Sequence, residues 1–144
     1  MKTYKTIVEY IENLVIYHKQ LGANHFYFGK PYNLSFNDIK MPYIVLEYLP
    51  FPSTEQTISY KYRLWCMDII DADKTNYKDV LNDTLLIIND IINYIAYSEN
   101  EFYVKFNNIV TPFDEKFDDF VAGWWKDIEI KNLKLNDTYS IPKK

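Results

Sequence analysis

Glycine is nearly absent from this chain: Gly22, Gly29 and Gly123 are the only three among 144 residues. Loops that cradle phosphate through successive backbone N–H groups need several glycines at fixed spacing, so P-loop and dinucleotide-fold enzymes are excluded by composition. Cys66 is the single cysteine, which removes an intrachain disulfide; its place inside an alternating strand predicts a buried thiol. His18 and His25 are the only histidines and have no Cys or His companion at metal-ligand spacing, so neither a zinc site nor any other metal or cofactor is expected. His18 falls instead on the apolar stripe of a helix, as a core-edge residue. No apolar run is long enough to cross a membrane, and residues 1–5 lead straight into a charged helical pattern, which predicts neither a signal peptide nor an anchor. Positive charge is scarce as well. A net charge of −4 and a pI near 5.1 lack the basic face that broad nucleic-acid binding requires, and Arg63 is the sole arginine.

Aromatic residues are what the chain has in excess: 14 Tyr, 9 Phe and 3 Trp make up 18% of it. Tyrosine and tryptophan give large, stiff contact area with a polar handle, which suits surfaces alternately wet and covered. An AT-rich genome would write the same Tyr, Phe, Ile, Asn and Lys excess. The Asn-x-Ser/Thr triplets at Asn33, Asn82 and Asn136 follow from that asparagine content. The length suits one domain, burying about 70% of the surface the unfolded chain exposes.

Apolar spacing predicts a first helix over residues 6–20, with Ile7, Ile11, Leu14, Val15 and His18 on one stripe, Thr6 and Glu9 as a capping box and Gly22 as the stop. Residues 26–28 read as a short strand. Residues 43–49 are apolar nearly throughout, as in a strand covered on both faces, and Pro50 and Pro52 end it. Residues 56–71 form a long alternating strand, with Tyr60, Tyr62, Leu64 and Cys66 on one face and Lys61, Arg63, Trp65 and Met67 on the other. Its first residues, up to Tyr62, are predicted to project from the domain. A helix follows over residues 77–97, capped by Asn76 and Asp79, with Leu81, Leu85, Ile88, Ile91 or Ile92, and Ile95 as its buried stripe. Residues 102–106 read as a strand that residues 109–113 continue or return, and residues 120–133 as the last strand. The folded domain is expected over residues 1–133, and residues 134–144, without periodicity, as a mobile tail.

No arrangement in this order assembles catalysis. Asp71-Ala72-Asp73-Lys74-Thr75 begins like a calcium loop, but Asn76 and Asn82 stand where glycine and glutamate belong. With Asp68, the same carboxylates are the only candidates for a metal-dependent nuclease. Asp114, Glu115, Asp118 and Asp119 alternate with Phe113, Phe117 and Phe120 as an acidic turn. A small acidic module that masks a basic partner, such as an immunity or inhibitor protein, is the second reading.

Three stretches carry a resemblance: Met41-Pro42-Tyr43-Ile44-Val45-Leu46-Glu47, Leu64-Trp65-Cys66-Met67-Asp68-Ile69-Ile70 and Asp119-Phe120-Val121-Ala122-Gly123-Trp124. In these, and in its order of elements, the chain resembles the tail-terminator family of tailed bacteriophages, also called tail-completion or neck proteins. The resemblance implies an α+β subunit, with a mixed or antiparallel sheet of four to five strands covered by two long helices and a projecting hairpin. It implies a structural, non-enzymatic role in the virion: a ring of about six or twelve copies joined to portal, adaptor or tail rings, passing DNA without holding it. Phe51, Tyr60, Tyr62, Arg63, Trp124 and Trp125 are then candidate subunit contacts. Asp71, Asp73, Asp114, Glu115, Asp118 and Asp119 are candidates for the channel lining or for a joint between rings.

Overall fold

The computed structural model describes residues 3–31, 40–54, 57–97, 103–114 and 120–133. Helix α1 is Tyr4–Ile16. It begins two residues before the expected start, because the Thr3 hydroxyl accepts the Thr6 N–H at 3.2 Å and so does the capping itself. It also ends early, since His18 N–H returns to the Val15 carbonyl in a turn instead of extending the helix. Gly22 is extended and opens a short 3₁₀ turn, Ala23–His25, so it is not the helix stop. The strands are β1 Phe26–Phe28, β2 Tyr43–Leu49, β3 Thr57–Ile69, β4 Tyr103–Asp114 and β5 Val121–Leu133. Helix α2 is Tyr77–Ala96.

Among the described residues the strands form one five-stranded mixed sheet in the order β1-β2-β3-β5-β4, parallel only between β1 and β2, which makes the fold α+β. β4 is continuous through residues 109–113, with a register shift between Phe106 and Val110 that marks a β-bulge. Pro112 is tolerated because β4 is an edge strand. Both helices lie on one face: Ile7, Ile11 and Val15 of α1 and Ile87, Ile88, Ile91 and Ile95 of α2 pack on Ile44, Leu46, Tyr62, Leu64, Cys66, Ile128 and Ile130.

The stripe of α2 is rotated from its expected position. Val80, Thr84, Ile87, Ile88, Ile91, Ile92 and Ile95 are buried, whereas Leu81 and Leu85 lie at the margin. Thr84 enters the core because its hydroxyl donates to the Val80 carbonyl at 2.6 Å, leaving no polar atom unpaired. Asn76 does not cap α2. Its side chain clamps the preceding turn, accepting from Asp71 N–H at 2.7 Å and donating to the Ile69 carbonyl at 3.2 Å.

The described part of the long strand does not project. β3 pairs with β5 at every position from Thr57–Leu133 to Ile69–Val121. On its other side, where β2 has ended, Ser59 N–H bonds to the Pro52 carbonyl at 3.3 Å and Ser53 bridges to Ile58. A partner strand of equal length within the chain accounts for the length that reads in sequence as an overhang. The expected tail, residues 134–144, lies outside the described residues, as do Gln56 and Phe102. Among the described residues no helix is long and apolar enough to cross a membrane.

Candidate functional site

The face of the sheet away from the helices changes character along its strands. At one end Tyr43, Val45, Trp65, Met67, Phe113 and Val121 are buried, flanked by Tyr27, Met41 and Trp125. Next comes a belt of charge. Glu47, Arg63 and Asp127 are cross-strand neighbours on β2, β3 and β5. Lys30 reaches Glu47 at 3.3 Å, the Trp65 indole N–H donates to Glu47 at 2.9 Å, and Arg63 grips Asp127 at 2.7 and 3.2 Å. The Arg63 guanidinium also lies 3.8 Å from the centre of the Trp125 ring. Hydrogen bonding to Asp127 raises the guanidinium pKa above its usual value. Beyond the belt, Leu49, Lys61, Glu129 and Lys105 form the next cross-strand row. The bulge of β4 opens a cleft of about 410 Å³ there, lined by those four residues with Phe106, Asn107, Asp127 and Ile128.

The candidate contact residues divide. Tyr60 and Tyr62 are 9% and 0% exposed inside an aromatic cluster of their own chain, so they are not available as surface contacts. Tyr4 packs on Tyr60 at 5.0 Å and Tyr62 at 5.6 Å, and Phe51 packs on Tyr60 at 5.0 Å. Desolvation pushes the Tyr62 phenol far above its ordinary pKa, and its hydroxyl, though near that of Tyr4, is buried without a well-formed hydrogen bond. Phe51 remains accessible at 42% and, like Phe28, packs on Tyr4; Phe28 in turn pairs with exposed Tyr48. Trp124 and Trp125 face opposite sides: Trp124 lies under α2 and donates to the Leu81 carbonyl at 2.8 Å, while Trp125 lies over Trp65 at 5.9 Å. Arg63 is committed to Asp127.

Asp114, the one described acid of the second group, is brought to the same end of the sheet as Asp71 and Asp73, a juxtaposition that no local pattern announces. The Tyr77 hydroxyl donates to Asp114 at 3.1 Å, and Ile70 N–H to the Phe120 carbonyl at 2.7 Å, tying the β3–α2 turn to the β4–β5 end. Glu115, Asp118 and Asp119 lie outside the described residues. Asp71 and Asp73 both accept from the Thr75 hydroxyl, at 3.1 and 3.0 Å, so this turn spends its carboxylates on its own backbone and side chains. Asp68 is half-buried and accepts from Ile69 N–H at 2.7 Å; desolvation raises its pKa. Among the described residues no three His, Cys, Asp or Glu side chains group to hold a metal ion, and Asp68, Asp71 and Asp73 do not converge as nuclease ligands.

Other reactive groups are occupied. Burial drives the Cys66 thiol far above its ordinary pKa, which leaves it un-ionised and unreactive. His18 accepts Gln20 N–H at Nδ1 and donates from Nε2 to Asp90 at 3.1 Å, so both ring nitrogens are used structurally. The residues that sequence reasoning did not single out are Glu47, Lys105, Asp127, Glu129 and Lys131. Their signal was present in the last strand, where Trp125, Asp127, Glu129 and Lys131 recur at every second position. No known protein family matches the chain, and no curated protein matches its sequence.

Proposed function

We propose that this chain is a structural subunit of a tailed-phage particle, one copy in a ring of the neck or tail that caps or joins neighbouring rings and leaves a channel for DNA. The observation that carries the reading is the position of the three resembling stretches. Their residues 43–47, 64–69 and 121–124 fall on β2, β3 and β5, adjacent strands at the centre of the sheet, where Tyr43, Met67 and Gly123 stand in one cross-strand row. The resemblance therefore rests on one contiguous piece of architecture, not on scattered matches.

The acids gathered at the β4–β5 end suit passage of DNA. Asp71, Asp73 and Asp114 are exposed there, and like charge repels phosphate over a Debye length of about 8–10 Å at physiological salt. Neighbouring portal, adaptor or tail rings are the partners this reading requires. Light scattering on the purified chain tests it against the inhibitor reading. A ring component gives a large multiple of 17.3 kDa, alone or on addition of its neighbouring ring. A chain that stays monomeric with those neighbours, and binds a basic protein one to one, returns the inhibitor reading.

A further inference from the structure

The two outer layers of the molecule carry opposite charge. Helices α1 and α2 hold Glu9, Glu12, Asp79, Asp83 and Asp90 against Lys5 and Lys78 alone. The charged half of the opposite sheet face holds Lys61, Arg63, Lys105 and Lys131 against Glu47, Asp127 and Glu129, and Lys30 reaches in to pair with Glu47. Arg63 and Asp127 neutralise each other, whereas Lys61, Lys105 and Glu129 line the cleft side by side with no ion pair between them. The helical layer is also rich in accessible tyrosine. Tyr10, Asn13, Leu14, Tyr17 and Tyr94 line a groove of about 280 Å³ between α1 and α2, and Tyr17 is 84% exposed. Ammonium groups are attracted both by carboxylates and by tyrosine rings, so one layer offers what the other layer's free lysines lack.

We propose that the acidic, tyrosine-lined α1–α2 face of one copy docks on the lysine-bearing sheet face of the next copy. The occupant is a second copy of this chain because both halves of the complementarity reside on every copy. A contact between two different faces is heterologous, and repeats head to tail until it closes a ring or runs on as a filament. The inference rests on the ring reading only for closure. Its readout is mass in solution, decided whether or not the chain is found in a phage particle.

Two charge-reversed variants test it. One carries Lys61→Glu with Lys105→Glu in the cleft. The other carries Glu9→Lys with Glu12→Lys, both on α1 beside its groove residues Tyr10 and Asn13. Circular dichroism establishes that each remains folded. Each variant alone sets like charge against like and loses the oligomer seen for the wild type at low salt. Mixed in equal amounts, they regain it, because alternating copies restore acid against base at both kinds of junction. Independently of any variant, salt near 1 M, where the Debye length is about 3 Å, dissolves the wild-type oligomer. A wild-type chain that stays at 17.3 kDa at low salt overturns the proposal. So does a variant that assembles as well as wild type, a mixture that stays monomeric, or a wild-type oligomer indifferent to salt.

Discussion

The two faces of one sheet obey different rules. On the helix-covered face, apolar side chains run unbroken from Ile44 and Leu46 across Tyr62, Leu64 and Cys66 to Ile128 and Ile130, and α1 and α2 seal them. On the other face the same strands pass from buried Trp65 and Met67 to accessible Lys61 and Lys105 within a few residues. The first face specifies the fold through burial. The second buries only part of its length and leaves a charged remainder free for contact. Strand alternation assigns a residue to a face, but not to the sealed or the open part of that face.

The sharpest way to break the comparison lies between the faces, in the backbone. A Cβ on Gly123 would sit 1.9 Å from the Cys66 carbonyl, so Gly123→Ala forces β5 away from β3; a loss of about 3 kcal/mol or more in denaturant unfolding is expected. Next, Ile88→Ala on the sealed face should cost about 2–5 kcal/mol, and marginal Leu85→Ala clearly less. Equal losses would show that the α2 stripe is centred elsewhere. On the open face, Arg63→Ala should cost only about 1 kcal/mol, because Asp127 can rehydrate. A loss comparable to that of Ile88→Ala would mean the belt is sealed too. Tyr62→Phe removes a buried hydroxyl lacking a good partner and should stabilise by about 1 kcal/mol.

The smallest effect is one of pH. Burial raises the Asp68 pKa in the folded state, so the folded chain holds that proton more tightly than the unfolded one. Its contribution is therefore most favourable at acid pH and is lost as pH rises from the unfolded carboxylate pKa, about 3.9, through the folded value. Asp68→Asn should flatten stability over that interval and raise it slightly at neutral pH. Unfolding midpoints across pH check this, and a variant whose stability parallels wild type at every pH would contradict it.

Much of this architecture was legible in the sequence. The strands around residues 43–49 and 57–69, the helix after them and the last strand followed from period and punctuation. What escaped was set by non-local pairing or by competing local chemistry. Thr3 outcompeted Thr6 as the cap although both stand three residues before a residue able to answer it. Thr84 looked polar and proved buried, because an i−4 carbonyl satisfied it. The apparent overhang of β3 vanished because β5, some sixty residues away in sequence, matched its length residue for residue. Of the candidate contacts, Phe51 kept an open surface, whereas Tyr60 and Tyr62 were drawn inward by Tyr4, a residue far from them in sequence. Glu47 was invisible within an apolar run until Lys30 and the Trp65 indole supplied its partners.

Locating the chain in assembled tailed particles by electron cryomicroscopy tests the account most directly. The account predicts a closed ring of this α+β subunit at the neck or tail, its Asp71, Asp73 and Asp114 ends turned to the channel or to the adjoining ring. Particles that assemble complete necks and tails and eject DNA normally without this chain would contradict it.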